Sequence, residues 1–236
     1  MRHTWSDSSR FGQTLYFTKE QIDSMCEQEL KKAGYLPAEP TPIRIDRFIE
    51  KTYSKIEYLD IGPNILGCTQ FSSRGAVDRV IVSSSLDSEE TVTERRLRST
   101  MAHEAGHCML HPVLFIQDGL QSTFRNENVD FARSRKIMCR ADSIHAEPER
   151  KKNVSGEWWE YQANRAIGGF LLPKRLVNLA LQPFLIQSAI AGAVGIVPQK
   201  RKDAIRTLSD LFEVNLKVVE IRLSEMYPEN DLQTTF

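Results

Sequence analysis

The sequence has little of what marks a secreted, membrane-spanning or strongly charged protein. Its four cysteines include no C-x-x-C pair, and the start, MRHTWSDSSR, has no apolar run of the kind found in signal peptides. Free thiols and a cytoplasmic location are therefore expected. The longest apolar run, residues 184–197, is too short to span a bilayer and predicts a buried helix. The formal net charge is zero, so no global field favours nucleic acid or a membrane surface.

What the sequence does contain is the pattern of an ordinary globular protein. It has 236 residues, 41% of them hydrophobic and 26% charged, which is enough for one sizeable core or two small ones. Changes in composition along the chain predict four parts. They are a loose arm at 1–16, a main domain at 17–182, a helical region at 183–228 and a tail at 229–236.

The most informative motif is H-E-x-x-H, formed by His103, Glu104 and His107. Residues four apart share one face of a helix, so both imidazoles can point at one metal ion. Neutral imidazoles suit Zn²⁺, and Glu104 lies beside them, where it can take a proton from water. The pattern predicts a metal site with Glu104 as the general base.

A helix over residues 91–110 is predicted around this motif. Thr91 and Glu94 have the spacing of a capping box, and Pro112 follows as a stop signal. An apolar stripe on the same helix predicts its core-facing side: Val92, Leu97, Met101, Ala105 and Cys108.

Upstream of this helix, the sequence predicts two helices followed by three strands. Residues 18–33 predict an amphipathic helix with a Thr18/Gln21 capping box, and 46–53 a shorter one. Three strand-like runs follow at 56–61, 65–71 and 77–83. Their short connections predict an antiparallel meander packed on the H-E-x-x-H helix, hence an α+β fold. Further on, 129–140 predicts a short helix.

A third metal ligand is expected on a helix at 157–172, capped by Ser155 and ended by Pro173. Glu160 borders its apolar stripe, where an unpaired carboxylate would be costly, and Asn164 lies one turn later. Glu157 and His145 are the rival ligands. Glu157 lies in the first turn of the helix, where an acidic residue already has the role of interacting with the helix dipole. His145 lies in a predicted loop, with no evident helix or strand to fix its position.

The last third predicts helices at 174–181, 199–212 and 216–226. The final two have helix-turn-helix proportions, although few basic residues lie nearby. A packing role is favoured over direct DNA binding.

Three stretches together resemble the ImmA/IrrE-type metallo-endopeptidases: RSTMAHEAGHCMLH at 98–111, EWWEYQANRAIGGFLLP at 157–173 and LSDLFEVNLKVVEIRLSEMYP at 208–228. The resemblance implies a zincin-like fold followed by a helix-turn-helix-like region. It also implies Zn²⁺ held by His103, His107 and Glu160, with Glu104 as the base. The substrate implied is a helix-turn-helix repressor of a prophage, mobile element or stress operon. Gln162 departs from the family pattern, which commonly has a glutamate there.

Two other functions stay open at this point. One is a regulator that binds a repressor or DNA through the C-terminal helices without cutting it. The other is a metal hydrolase that acts on a non-peptide bond. The sequence also leaves the group that stabilises the oxyanion undecided among His111, His145 and Tyr161.

Overall fold

A computed structural model describes residues 2–5, 13–87, 90–116, 136–140, 158–187 and 194–228 of the chain. It is an α+β structure, as predicted. The order of helices and strands is β1 (Arg2–Trp5), β2 (Gln13–Tyr16), α1 (Lys19–Ala33), α2 (Ile45–Thr52), β3 (Ile56–Leu59), β4 (Ile65–Phe71), β5 (Val77–Ser83), α3 (Thr91–Leu110), β6 (Lys136–Arg140), α4 (Trp158–Leu171), α5 (Lys174–Leu181), β7 (Leu185–Gln187), β8 (Val194–Ile196), α6 (Arg201–Phe212) and α7 (Leu216–Met226).

The central sheet is mixed, so the predicted antiparallel meander is wrong. Its strand order is β3-β5-β4-β6, with β3 parallel to β5 and with β4 antiparallel to both β5 and β6. In a meander, β4 would lie between β3 and β5. Here β6 occupies the second edge of β4, and β3 pairs instead with the other edge of β5. The buried strands β4 and β5 therefore form the centre of the sheet, next to α3.

Strand β6 replaces the end of the helix predicted at 129–140. Ile137 and Cys139 are buried, whereas Lys136, Met138 and Arg140 are exposed. That alternation has the period of a strand and not of a helix. The rest of the predicted helix lies outside the described residues.

The buried helix predicted within 184–197 is also wrong. Strands β7 and β8 pair there in antiparallel fashion, and Ile186 and Val194 are about half exposed. Because these apolar side chains face outward, a helix buried on all sides was not the right interpretation. The expected loose arm at 1–16 contains the antiparallel pair β1–β2, in which Leu15 is completely buried.

The helix signals were more reliable than the sheet signals. The Thr18/Gln21 capping box of α1 is present, and Gly34 ends that helix at a φ of 78°. Helix α3 has the predicted bounds, but its N-cap is Glu90 without a side-chain capping bond, so the Thr91/Glu94 capping box is wrong. Val92 is 74% exposed and lies outside the core stripe, whereas Met101, Ala105 and Cys108 are buried.

One buried apolar cluster extends from Ile22 in α1 to Leu223 in α7. Apolar side chains from both sides of the predicted division at 182/183 pack in this cluster, and the division itself stays a prediction. All four cysteines are free thiols, as expected. The predicted Ser155 cap and the tail at 229–236 lie outside the described residues.

Among the helices of the described residues, none has the length and apolar character needed to cross a bilayer.

Candidate metal centre

Helices α3 and α4 bring together the three predicted metal ligands. The Nε2 atoms of His103 and His107 lie 2.9 Å apart. Glu160 places Oε2 at 3.2 Å from Nε2 of His103 and Oε1 at 3.4 Å from Nε2 of His107. All three residues are buried, and their ligand atoms lie within 4.8 Å of one another. They are close enough to hold a metal ion.

The two helices approach closely because small residues face each other at their crossing. A Cβ atom added to Gly106 would lie 2.8 Å from Cβ of Ala166 and 3.1 Å from Cα of Ala163. Such distances leave no room for a side chain at Gly106 without separating the helices. The glycine in H-E-A-G-H therefore helps Glu160 of α4 to reach the two histidines of α3.

The orientation of His103 is set by α4. Its Nδ1 lies 2.9 Å from Oδ1 of Asn164, four residues after Glu160. Because an amide oxygen only accepts hydrogen bonds, Nδ1 carries the proton and donates it. Nε2 is then the nitrogen that can bind a metal, and it faces Glu160. A contact of this kind fixes both the ring and its tautomer.

His107 is oriented by a longer chain of hydrogen bonds that ends on the N-terminal hairpin. Nδ1 of His107 lies 2.9 Å from Nδ1 of His111, and Nε2 of His111 lies 3.2 Å from Oε1 of Gln162. The Gln162 amide donates to the carbonyl oxygen of Leu15 at 2.6 Å. This last bond fixes Oε1 as an acceptor, so His111 donates to Gln162 and accepts from Nδ1–H of His107. Nε2 of His107 is thereby left for the metal.

Gln162 has a physical reason to differ from the glutamate expected by resemblance. A carboxylate at this position would accept from His111 but would have no proton for the Leu15 carbonyl. The same chain explains why His111 is buried in the site: it orients His107 instead of facing a substrate. Of the other two oxyanion candidates, Tyr161 is 38% exposed, and His145 lies outside the described residues.

The electrostatics of the three ligands favour a bound cation. Burial alone would raise the pKa of Glu160, but His107 and His103 hold it well below its usual range. Burial lowers the pKa of His107. It also acts to lower the pKa of His103, but Cys139 and Glu160 outweigh it, so this pKa is raised well above its usual range. Without a metal, therefore, the site concentrates one positive charge on His103 beside Glu160.

Zinc fits this donor set. Two nitrogens bound to one tetrahedral zinc would lie roughly 3.3 Å apart, given Zn–N distances of roughly 2.0–2.1 Å. The observed 2.9 Å requires the rings to separate only slightly. The two oxygens of Glu160 face the Nε2 atoms of the two histidines at 3.2 and 3.4 Å, so a cation between them would satisfy this buried carboxylate.

Glu104 lies beside the ligands and is completely buried. The Thr69 hydroxyl of β4 donates to its Oε2 at 2.5 Å, and its Oε1 has no hydrogen-bond partner within the part of the chain that the structure describes. Burial raises the pKa of Glu104 to about 8. Gly67 of β4 makes room for it, because a Cβ atom there would lie 2.3 Å from Oε1. A carboxyl group tuned near neutrality with one free oxygen suits acid–base catalysis.

Sequence reasoning missed the contributions of the sheet. Thr69, Gly67 and Cys139 all lie at the site, and a second group with metal-binding geometry consists of His103, Glu104 and Cys139. The short apolar run of Ile137, Met138 and Cys139 between two basic residues was the one signal that could have placed Cys139 on a strand. The rival ligands Glu157 and His145 lie outside the described residues.

A comparison with models of protein families found no match, and a search among curated proteins found none either. The resemblance to the ImmA/IrrE-type peptidases therefore stays a hypothesis based on the three sequence stretches.

Proposed function

We propose that the protein is a zinc-dependent endopeptidase with a zincin-like catalytic site. The observation that carries this proposal is one juxtaposition. Two imidazole Nε2 atoms and the Glu160 carboxylate converge on one point, and the carboxylate of Glu104 lies next to it, with an Oε1 that has no hydrogen-bond partner in the described part of the chain. Two histidines and one glutamate form the donor set of many catalytic zinc sites, which keep a fourth position open.

In the proposed reaction, each side chain has a separate role. His103, His107 and Glu160 would hold Zn²⁺, which when bound polarises the scissile carbonyl and lowers the pKa of water. Glu104 would accept a proton on Oε1 and return it to the leaving amine. Thr69 holds the other oxygen of Glu104, so the carboxylate keeps one orientation during both transfers.

Asn164 and His111 have a supporting role in this proposal. Each holds the Nδ1 side of one ligand ring, which directs Nε2 toward the metal. Because Gln162 connects His111 to the Leu15 carbonyl, the N-terminal hairpin is part of the same support. The three α4 side chains Glu160, Gln162 and Asn164 thus serve the site together.

We propose a helix-turn-helix transcriptional repressor as the substrate. Support for this choice comes from the resemblance of the three quoted stretches to the ImmA/IrrE-type peptidases. It is separable from the proposed chemistry, because the zinc ligands and Glu104 would serve any extended peptide in the same way.

The test is to incubate the protein with a helix-turn-helix repressor encoded at the same locus, with and without a chelator. A specific truncation that the chelator abolishes and added zinc restores would support the proposal. Glu104→Gln should reduce the cleavage rate by ~10²–10⁴ while zinc binding is kept. Glu94→Gln is the matched control, because Glu94 lies on the same helix but is exposed, and it should cleave at the wild-type rate.

Two outcomes would contradict the proposal. Cleavage by Glu104→Gln at the wild-type rate would remove Glu104 from the role of base. Tight binding of the repressor without any zinc-dependent cleavage would favour the alternative of a non-proteolytic regulator.

A further inference from the structure

Strand β6 carries a cysteine into the site that the proposed reaction does not use. Cys139 is completely buried, and its sulfur lies within 4.8 Å of a ring nitrogen of His103 and a carboxylate oxygen of Glu104. This group shares His103 with the three proposed zinc ligands. A metal bound there therefore has the Cys139 thiol nearby, on the side of Glu104.

The register of the sheet explains why this thiol faces the metal site. Cys139 pairs with Gly67 across β4 and β6, and Met138 pairs with Cys68. Directly opposed residues on antiparallel strands point to the same face of a sheet. Gly67 faces Glu104, since a Cβ atom on it would clash with Oε1. Cys139 therefore shares that face, whereas Cys68 points the other way.

One further atom at the same place indicates a ligand. Oε1 of Glu104 is buried and has no hydrogen-bond partner among the residues that the structure describes. Glu104 is fully buried, so water does not readily satisfy this oxygen. The Cys139 sulfur and the Glu104 carboxylate thus form one group with a ring nitrogen of His103, and His103 joins that group to His107 and Glu160.

We propose that Cys139 is a fourth ligand of the metal held by His103, His107 and Glu160, and that its thiolate closes the centre. This rests on the proposed metal centre. On ligation the thiol loses its proton, which passes to Oε1 of Glu104 and then to solvent, and the sulfur lone pair forms the new bond to the metal. No redox change is involved.

The four-ligand centre is a resting form. Zinc sites with four protein ligands are closed, whereas hydrolytic sites keep one position for water. Glu104 then has no metal-activated water to deprotonate while Cys139 is bound. Release of the thiolate would open the fourth position.

The test uses the full chain loaded with Co²⁺ and measures its absorption spectrum. Wild type should show visible ligand-field bands together with a near-ultraviolet sulfur-to-cobalt charge-transfer band. Cys139→Ser should keep the visible bands, lose the near-ultraviolet band and bind Co²⁺ at least ~10-fold more weakly, since even residues outside the ligand set change metal affinity ~10–100-fold. Cys68→Ser, one residue along the paired strand and on the opposite face, should keep both bands.

The outcomes separate this proposal from the metal centre itself. Visible bands without the near-ultraviolet band in wild type would leave the centre intact and overturn the role of Cys139. Absence of both bands would overturn the metal centre and this proposal with it. If Cys139→Ser does not fold, zinc-edge X-ray absorption of wild type decides: one sulfur neighbour at ~2.3 Å supports the proposal, and none overturns it.

Discussion

The space that Gly67 leaves for Glu104 gives a sharp test of the catalytic arrangement. An alanine at this position would place its Cβ atom 2.3 Å from Oε1, 2.9 Å from Cδ and 3.0 Å from Cγ of Glu104. Non-bonded heavy atoms normally stay roughly 3.5 Å or more apart. The carboxylate must therefore retreat by roughly 1 Å or the strand must move away from α3.

The expected loss follows from that displacement. A misplacement of ~1 Å in a catalytic constellation can lower the rate by ~10²-fold. Overpacking of a tight core also lowers stability by ~1–3 kcal/mol. None of the three atoms that the new Cβ would meet belongs to a zinc ligand. Gly67→Ala should therefore lose ~10²-fold in the rate of repressor cleavage while still binding one zinc.

The assay pairs the cleavage rate with a zinc titration and with unfolding in urea. Gly168→Ala in α4 is the control. Its Cβ atom would come no closer than 3.3 Å to any neighbour, and that neighbour is the Arg222 side chain and not Glu104. It should cleave normally. If Gly67→Ala folds and cleaves at the wild-type rate, the position of Glu104 does not control catalysis and the assignment of the base is refuted.

Three further predictions concern the ligand set, the buried acid and the helical core. Glu160→Ala should bind zinc at least ~10-fold more weakly in a titration, whereas Glu157→Ala should bind it normally; the reverse would transfer the ligand to Glu157. In chelator-treated protein, the raised pKa of Glu104, about 8 against 4.5, contributes stability that is present at low pH and lost as pH rises toward 8. In urea unfolding, the free energy of unfolding of Glu104→Gln relative to wild type should therefore increase from pH 5 to pH 8. A difference that stays constant with pH would contradict this. Arg222→Ala should lower the free energy of unfolding by about 3 kcal/mol, because Arg222 is 2% exposed and donates to the Asp23 carboxylate, at 2.7 Å, a hydrogen bond that the variant would lose. A change below about 1 kcal/mol would refute this.

The ligands were predictable from sequence because their signals are local. His103 and His107 are one helical turn apart, and Glu160 lies on the apolar side of a helix whose periodicity is clear. Bounds of α3 and α7 were predicted to the residue for the same reason. The N-cap of α3 was predicted wrongly, because Thr91 is the first residue of the helix and Glu90 takes the cap position.

The sheet contributions could not be predicted because they depend on pairing between distant segments. The second edge of β4 is taken by β6, which follows β4 by more than sixty residues in the chain, and β3 pairs with β5. Thr69 of β4 and Cys139 of β6 reach the site as members of this sheet, and neither belongs to a motif. The run at 184–197 failed because apolar composition alone does not distinguish a buried helix from a strand pair.

The most direct test of the central claim is the zinc stoichiometry of the full chain. The protein is refolded with zinc, dialysed against metal-free buffer and measured by elemental analysis beside a His103→Ala/His107→Ala double variant. The proposed centre predicts about one zinc per wild-type chain and none in the variant, because one His₂Glu set is available. A wild-type chain without zinc, or a variant that keeps it, would contradict the metal centre on which the proposed peptidase depends.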